Sequence, residues 1–195
     1  MAQRALKSTH SIVTKVVEDH NTVKAFWSKF KKESDKTERE KLANQIIYEI
    51  AVHSHAEELV LYPAIERNLK EEGKKLVDES RAEHAEVKKK LYAVDRMSSG
   101  DPNLVTQLTA TMEVLETHIE EEENDILPKF EKATDEETLK TLGGAFDAVK
   151  HTVPTRPHPW APDKPLMESL VGLATAPVDM LRDAARSATT GFKDK

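Results

Sequence analysis

Four histidines and two glutamates set the chemistry open to this chain. His53 and His118 are each followed four residues later by a Glu-Glu pair and ten residues later by a proline. The two copies read HSHAEELVLYP, from His53 to Pro63, and HIEEEENDILP, from His118 to Pro128. An acidic-His step precedes each: Asp19-His20 before the first, with His20 33 residues before His53, and Glu83-His84 before the second, with His84 34 residues before His118. His20, His53 and Glu57 thus recur as His84, His118 and Glu122. The repeated positions are imidazoles and carboxylates, the side chains that bind iron, manganese or zinc where no thiolate is available. The chain has no cysteine.

Four long helical patterns must carry these residues. Helix A is expected over about 8–34, with Val13, Val16, His20, Val23, Trp27 and Phe30 on one stripe. Thr37-Glu38-Arg39-Glu40 has capping-box form and opens helix B, whose stripe runs Leu42, Ile46, Ile50, His53, Glu57, Leu61, Ala64. Glu72-Gly73 breaks the pattern before helix C, which carries His84. Asp101-Pro102, read as N-cap and first helical residue, opens helix D with His118 and Glu122. Short loops between long helices make antiparallel neighbours, so the expected fold is an all-α, up-down-up-down four-helix bundle.

In antiparallel helices, residues equally far from their connecting loop share a height. The midpoint of 20 and 53 is 36.5, that of 57 and 84 is 70.5, and that of 84 and 118 is 101, each at a helix break. All six residues therefore converge at one level and point inward. Burying an unbonded polar group costs roughly 2–7 kcal/mol and an unpaired charge costs more. A domain has only about 5–15 kcal/mol of stability in all. Such a cluster implies bound cations rather than a dry core. Two ions suit it better than one: His20 and His53 for the first, His84 and His118 for the second, with Glu57 and Glu122 bridging. Mixed imidazole–carboxylate ligation favours two non-haem irons, with manganese or zinc as substitutes.

On these residues the chain resembles the hemerythrin-like, HHE cation-binding family over roughly 8–132. The resemblance rests on His20, the His53-x3-Glu57-Glu58-x4-Pro63 run, Glu83-His84 and His118-x3-Glu122-Glu123-x4-Pro128. It implies a four-helix bundle around a diiron centre that meets dioxygen, peroxide or nitric oxide, with His20, His53, Glu57, His84, His118 and Glu122 as ligands. One position departs from the oxygen carriers, which have a fifth histidine where this chain has Ser80. Glu58, Glu79, Glu83 or water are the candidates to replace that nitrogen, and an opener centre favours oxidation of the metals over reversible oxygen holding. The carriers also take their last carboxylate one residue later, at Glu123 here, whereas internal symmetry selects Glu122.

The expected function is a diiron protein that binds or reduces dioxygen, peroxide or nitric oxide, for sensing or protection. The alternative is an iron- or oxygen-responsive signalling module, or an iron-holding protein, without turnover. Enzymatic activity is left open, and a reductase would need an electron donor. A net charge of −6 with no basic stripe gives no case for nucleic acid. No apolar run reaches the roughly 20 residues of a membrane span, and cytoplasm is the expected compartment. His55, two residues after His53, is expected to face solvent. His10, His151 and His158 fall outside the cluster, and Trp27 and Phe26 read most simply as core.

Domain boundaries are expected at 1–132 for the bundle, 133–153 for an accessory helix interrupted at Gly143-Gly144, and 154–195 for a tail. The tail holds a proline-rich, extended linker, PTRPHPWAPDKP, then an amphipathic helix over about 166–186. That helix is expected to dock on the bundle, its polar face including Asp179, Arg182 and Asp183, and to offer a surface to a protein partner or electron donor.

Overall fold

The computed structural model describes residues 10–98, 100–160, 178–179 and 181–184. Its elements are α1 (Ile12–Lys32), α2 (Lys36–Ala56), α3 (Tyr62–Asp95), α4 (Leu104–Glu121), α5 (Leu127–Ala133) and α6 (Glu136–Lys150). Every element among the described residues is helical, and together they form the bundle, with α1 against α2 and α3 against α4. Side-chain oxygens fix three helix starts. Ser11 Oγ accepts from Thr14 N at 3.2 Å, Asp35 Oδ1 from Glu38 N at 2.9 Å, and Asp135 Oδ1 from Thr138 N at 2.9 Å. The cap of α2 is therefore Asp35 rather than Thr37, because a carboxylate was available one turn before Glu38. Asp101 likewise holds the turn before α4, accepting from Asn103 N, and the helix begins at Leu104.

The second reversal is not at Gly73. Residues 62–95 are continuously helical apart from Lys70, whose φ of 55° and ψ of −126° turn the chain back on itself. Gly73 is needed for space instead: a Cβ there would lie 2.5 Å from the Ile65 carbonyl oxygen. The height argument, with its midpoint at 70.5, locates this turn better than composition does.

Two π-helical turns interrupt the expected stripes, at Glu57–Leu61 between α2 and α3 and at Glu122–Ile126 between α4 and α5. Each is followed by proline at its second residue, Pro63 or Pro128. Proline has no N–H to donate and its ring crowds the preceding turn, so a widened turn accommodates it. One extra residue in a turn rotates all that follows by about 100°.

The core is two apolar clusters. One gathers Trp27, Phe30, Ile46, Ile50, Leu91 and Leu108 toward the loop end, where Trp27 stacks on Phe30 as ordinary core. The other gathers Ile12, Val16, Leu61, Ile65, Phe130 and Phe146. α6 is unbroken through Gly143-Gly144 and packs on α1 and α2. Gly143 is the point of closest approach, where a Cβ would sit 2.1 Å from the His10 carbonyl oxygen. Residues 154–158 are non-helical as expected, yet buried. Arg156, 1% exposed, reaches Asp95 at 3.1 Å and Asp183 at 2.6 Å through Nε. Asp179 and Asp183, expected on a polar outer face, are both fully buried, bonded to His158 and Arg156. Most of the expected 166–186 helix lies outside the described residues, which show helix at 178–179 and 181–184.

Candidate metal centre

A polar layer separates the two apolar clusters. Its members are His20 from α1, His53 from α2, Glu57 and Glu122 from the two π-turns, His84 from α3 and His118 from α4, all buried. The structure brings all six together. Glu57 Oε2 lies 3.2 Å from His53 Nε2 and 3.4 Å from His84 Nε2, so one oxygen touches both halves of the duplication. Glu122 Oε2 lies 3.4 Å from His20 Nε2 and 3.9 Å from His118 Nε2. Donor atoms of His20, His53, Glu57 and Glu122 fall within 4.8 Å of one another, as do those of Glu57, His84 and His118.

The chemistry of this layer fits cations. His20 Nε2, His53 Nε2 and all four carboxylate oxygens of Glu57 and Glu122 are buried and, among the described residues, make no hydrogen bond. Polar atoms in that condition cost roughly 1–3 kcal/mol each unless something electropositive meets them.

Behind every imidazole stands a carboxylate on the far nitrogen. Asp19 Oδ2 is 3.3 Å from His53 Nδ1, Glu123 Oε1 is 2.9 Å from His20 Nδ1, Glu58 Oε1 is 2.8 Å from His84 Nδ1, and Glu83 Oε2 is 2.7 Å from His118 Nδ1. A carboxylate there accepts the Nδ1 proton and leaves the Nε2 lone pair facing the layer, the usual arrangement around a metal-bound histidine. Glu122 thus lies in the layer and Glu123 behind it. Glu58 and Glu83 back His84 and His118 through Nδ1, and Glu79 is on the surface.

A phenol also approaches the layer. Tyr62 Oη lies 3.1 Å from His84 Nε2 in a fully buried position. Burial, then the nearby Glu57 and Glu122, push this phenol well above its ordinary 10, so it keeps its proton. Sequence reading missed Tyr62 because it lies five residues after Glu57, off an α-helical stripe; the π-turn swings it inward. The repeated prolines were the available signal.

His55 corrects another expectation. It is 1% exposed and donates from Nδ1 to the Ala51 carbonyl oxygen at 2.6 Å. The buried stretch 153–158 runs close by: Arg156 reaches Asn44 on α2, and the charge of His158 is felt at His55. Distant sequence covers what the helical wheel left open.

The electrostatics give the metal-free protein an acid limit. Burial pushes His84 and His55 down to about 4 and also lowers His53, against an ordinary value of 6.5. These groups are neutral when folded and protonated when unfolded between the two values, so stability falls as pH drops through that window. The loss approaches roughly 3 kcal/mol for each of His84 and His55 near pH 4. His118 has the opposite sign: burial lowers it, but the Glu83 hydrogen bond prevails and raises it. Its contribution is complete below 6.5 and fades as pH rises above that. In the carboxylate pair Glu57 is raised by burial and Glu122 lowered, so the two oppose each other. Denaturant melts of chelator-treated protein from pH 7 to 4 should show a progressive fall, and a flat profile would contradict it.

Fold and site together define a class: a helical bundle with a buried histidine–carboxylate cation site. The comparisons agree. The chain matches the Hemerythrin HHE cation binding domain over residues 11–130 and belongs to that family. A hemerythrin-like protein of Schizosaccharomyces pombe is 38% identical over 168 residues, covering 86% of this chain and 83% of that protein. A crystal structure of a hemerythrin HHE cation-binding domain-containing protein from Mycobacterium kansasii superposes with a TM-score of 0.61 at 25% identity, covering 72% of this chain and 85% of that one. A DNA nickase of Nostoc sp. is 24% identical over 138 residues, and the chain spans 38% of its length. Among the described residues, no helix is long and apolar enough to cross a membrane.

Proposed function

We propose that this is a non-haem diiron protein that binds or reduces a small oxidant, namely dioxygen, peroxide or nitric oxide. The observation that carries this reading is the sharing of Glu57 Oε2 between His53 and His84, mirrored by Glu122 Oε2 between His20 and His118. His20 and His53 would hold one iron, His84 and His118 the other, with both glutamates reaching each. Ferrous ions held there would supply electrons to the oxidant.

The rest of the work belongs to the protein. The four carboxylates behind the histidines fix each ring and its tautomer. The apolar clusters above and below, with Leu61 and Leu127 fully buried, exclude bulk water. Tyr62 holds a proton at Oη beside His84, where it can hydrogen-bond a small ligand. A cavity of about 160 Å³ lined by Ser80, Glu83 and Glu121 adjoins the His118 side, close to where the missing fifth histidine would have stood.

Metal analysis and peroxide consumption test the proposal. About two irons per chain are expected, with peroxide loss, sustained by an added electron donor, that His118→Ala abolishes. Folded protein that takes up no transition metal when supplied with it would end the diiron reading. Unchanged peroxide loss in His118→Ala would end the reductive one.

A further inference from the structure

The environment of the centre repeats along with its donors. Asp19, just before His20, backs His53, and Glu83, just before His84, backs His118. Glu123, just after Glu122, backs His20, and Glu58, just after Glu57, backs His84. Lysines repeat too. Lys24, four residues after His20, reaches Glu123 at 3.1 Å, and Lys88, four residues after His84, reaches Glu58 at 2.6 Å.

The equivalence fails at one pair. Both Asp19 carboxylate oxygens lie 2.7 Å from Lys150 Nζ, whereas Glu83, hydrogen-bonded to His118 at 2.7 Å, has the Glu121 carboxyl rather than a lysine as its other side-chain partner. Lys150 comes from α6, beyond the residues that match the family. The seat of α6 is specific: Gly143 against the His10 backbone, an ion pair from Lys15 to Asp147, and Phe146 edge-on to the His53 ring at 6.2 Å between centroids.

We propose that α6 clasps one half of the centre, with Lys150 a positioning residue that orients His53 through Asp19, so that the His20–His53 half takes its cation more tightly than the His84–His118 half. This rests on the dinuclear reading above. A carboxylate gripped through both oxygens by an ammonium has a fixed direction, and among the described residues no lysine grips Glu83 in that way. Loss of such an outer partner typically weakens metal binding by about 10–100-fold. The donor sets lean the same way, with four mutually close donors in the His20–His53 half and three in the other.

Cobalt(II) titration of the chelator-stripped full chain, followed by visible absorption, tests it. Wild type should load in two unequal steps. Lys150→Met should weaken the tighter step by about 10–100-fold and leave the weaker one in place, with Lys150→Arg restoring most of the loss. Gly143→Ala, which lifts α6 from α1 with the lysine intact, should weaken the same step. Two steps unchanged in Lys150→Met would overturn the proposal. So would equal weakening of both steps with a lower metal-free melting temperature, which is the mark of a merely structural lysine. Wild type that takes up no cobalt would refute the dinuclear reading itself, a distinguishable result.

Discussion

Glu57→Leu is expected to abolish metal loading in both halves while making the metal-free protein harder to unfold. Glu57 is the donor common to the two clusters, with the same Oε2 near His53 and His84. Losing a shared donor weakens both ions together, by more than the 10–100-fold typical of an outer partner. The metal-free state should respond in the opposite sense. Glu57 is fully buried and neither of its carboxylate oxygens makes a hydrogen bond among the described residues. Replacing a buried, unbonded polar group by an apolar one of similar volume removes a desolvation cost of roughly 1–3 kcal/mol. Iron content and denaturant melts of stripped protein measure the two effects. A variant that keeps two irons, or whose stripped form melts earlier, contradicts this account.

Arg156→Met should cost about 3–5 kcal/mol, because it strips a buried carboxylate of its charge partner. Arg156 donates to Asp183, which is fully buried and also accepts from Thr155 at 2.6 Å, and it reaches Asp95 at the end of α3. Arg156→Met with Asp183→Leu should recover much of the loss, since the double variant leaves no orphaned charge at that position. A double-mutant cycle by denaturant melting isolates the coupling. Additive losses would mean that the pair does not tie residues 155–156 to 181–184 as the geometry indicates.

The donor layer was legible because two constraints coincide. Helical stripes put His20, His53, Glu57, His84, His118 and Glu122 on inner faces, and the loop midpoints put them at one height. The repeated His-to-Pro runs added a third. What sequence obscured was of two kinds. Tyr62 was hidden by a local change in helical pitch that a constant 3.6-residue period cannot represent, though Pro63 and Pro128 marked it. His55, Asp179 and Asp183 were hidden by the buried stretch 153–158, about a hundred residues from His55, about which periodicity says nothing. The carboxylates behind the histidines lie between. Asp19 and Glu83, like Glu58 and Glu123, occupy matching places in the duplication, so the repeat announced them without stating their role. Lys150 has no counterpart in the repeat and carried no such sign.

The paired π-turns make chain length, more than side-chain identity, the sensitive variable around Glu57–Leu61 and Glu122–Ile126. Deleting one residue from either turn would restore an ordinary helix and swing everything downstream by about 100°. Tyr62 would leave His84, and Leu127 its place in the apolar cluster, with no contact atom altered upstream. Conservative replacements along these two runs are absorbed locally, but an insertion or deletion of a single codon is not.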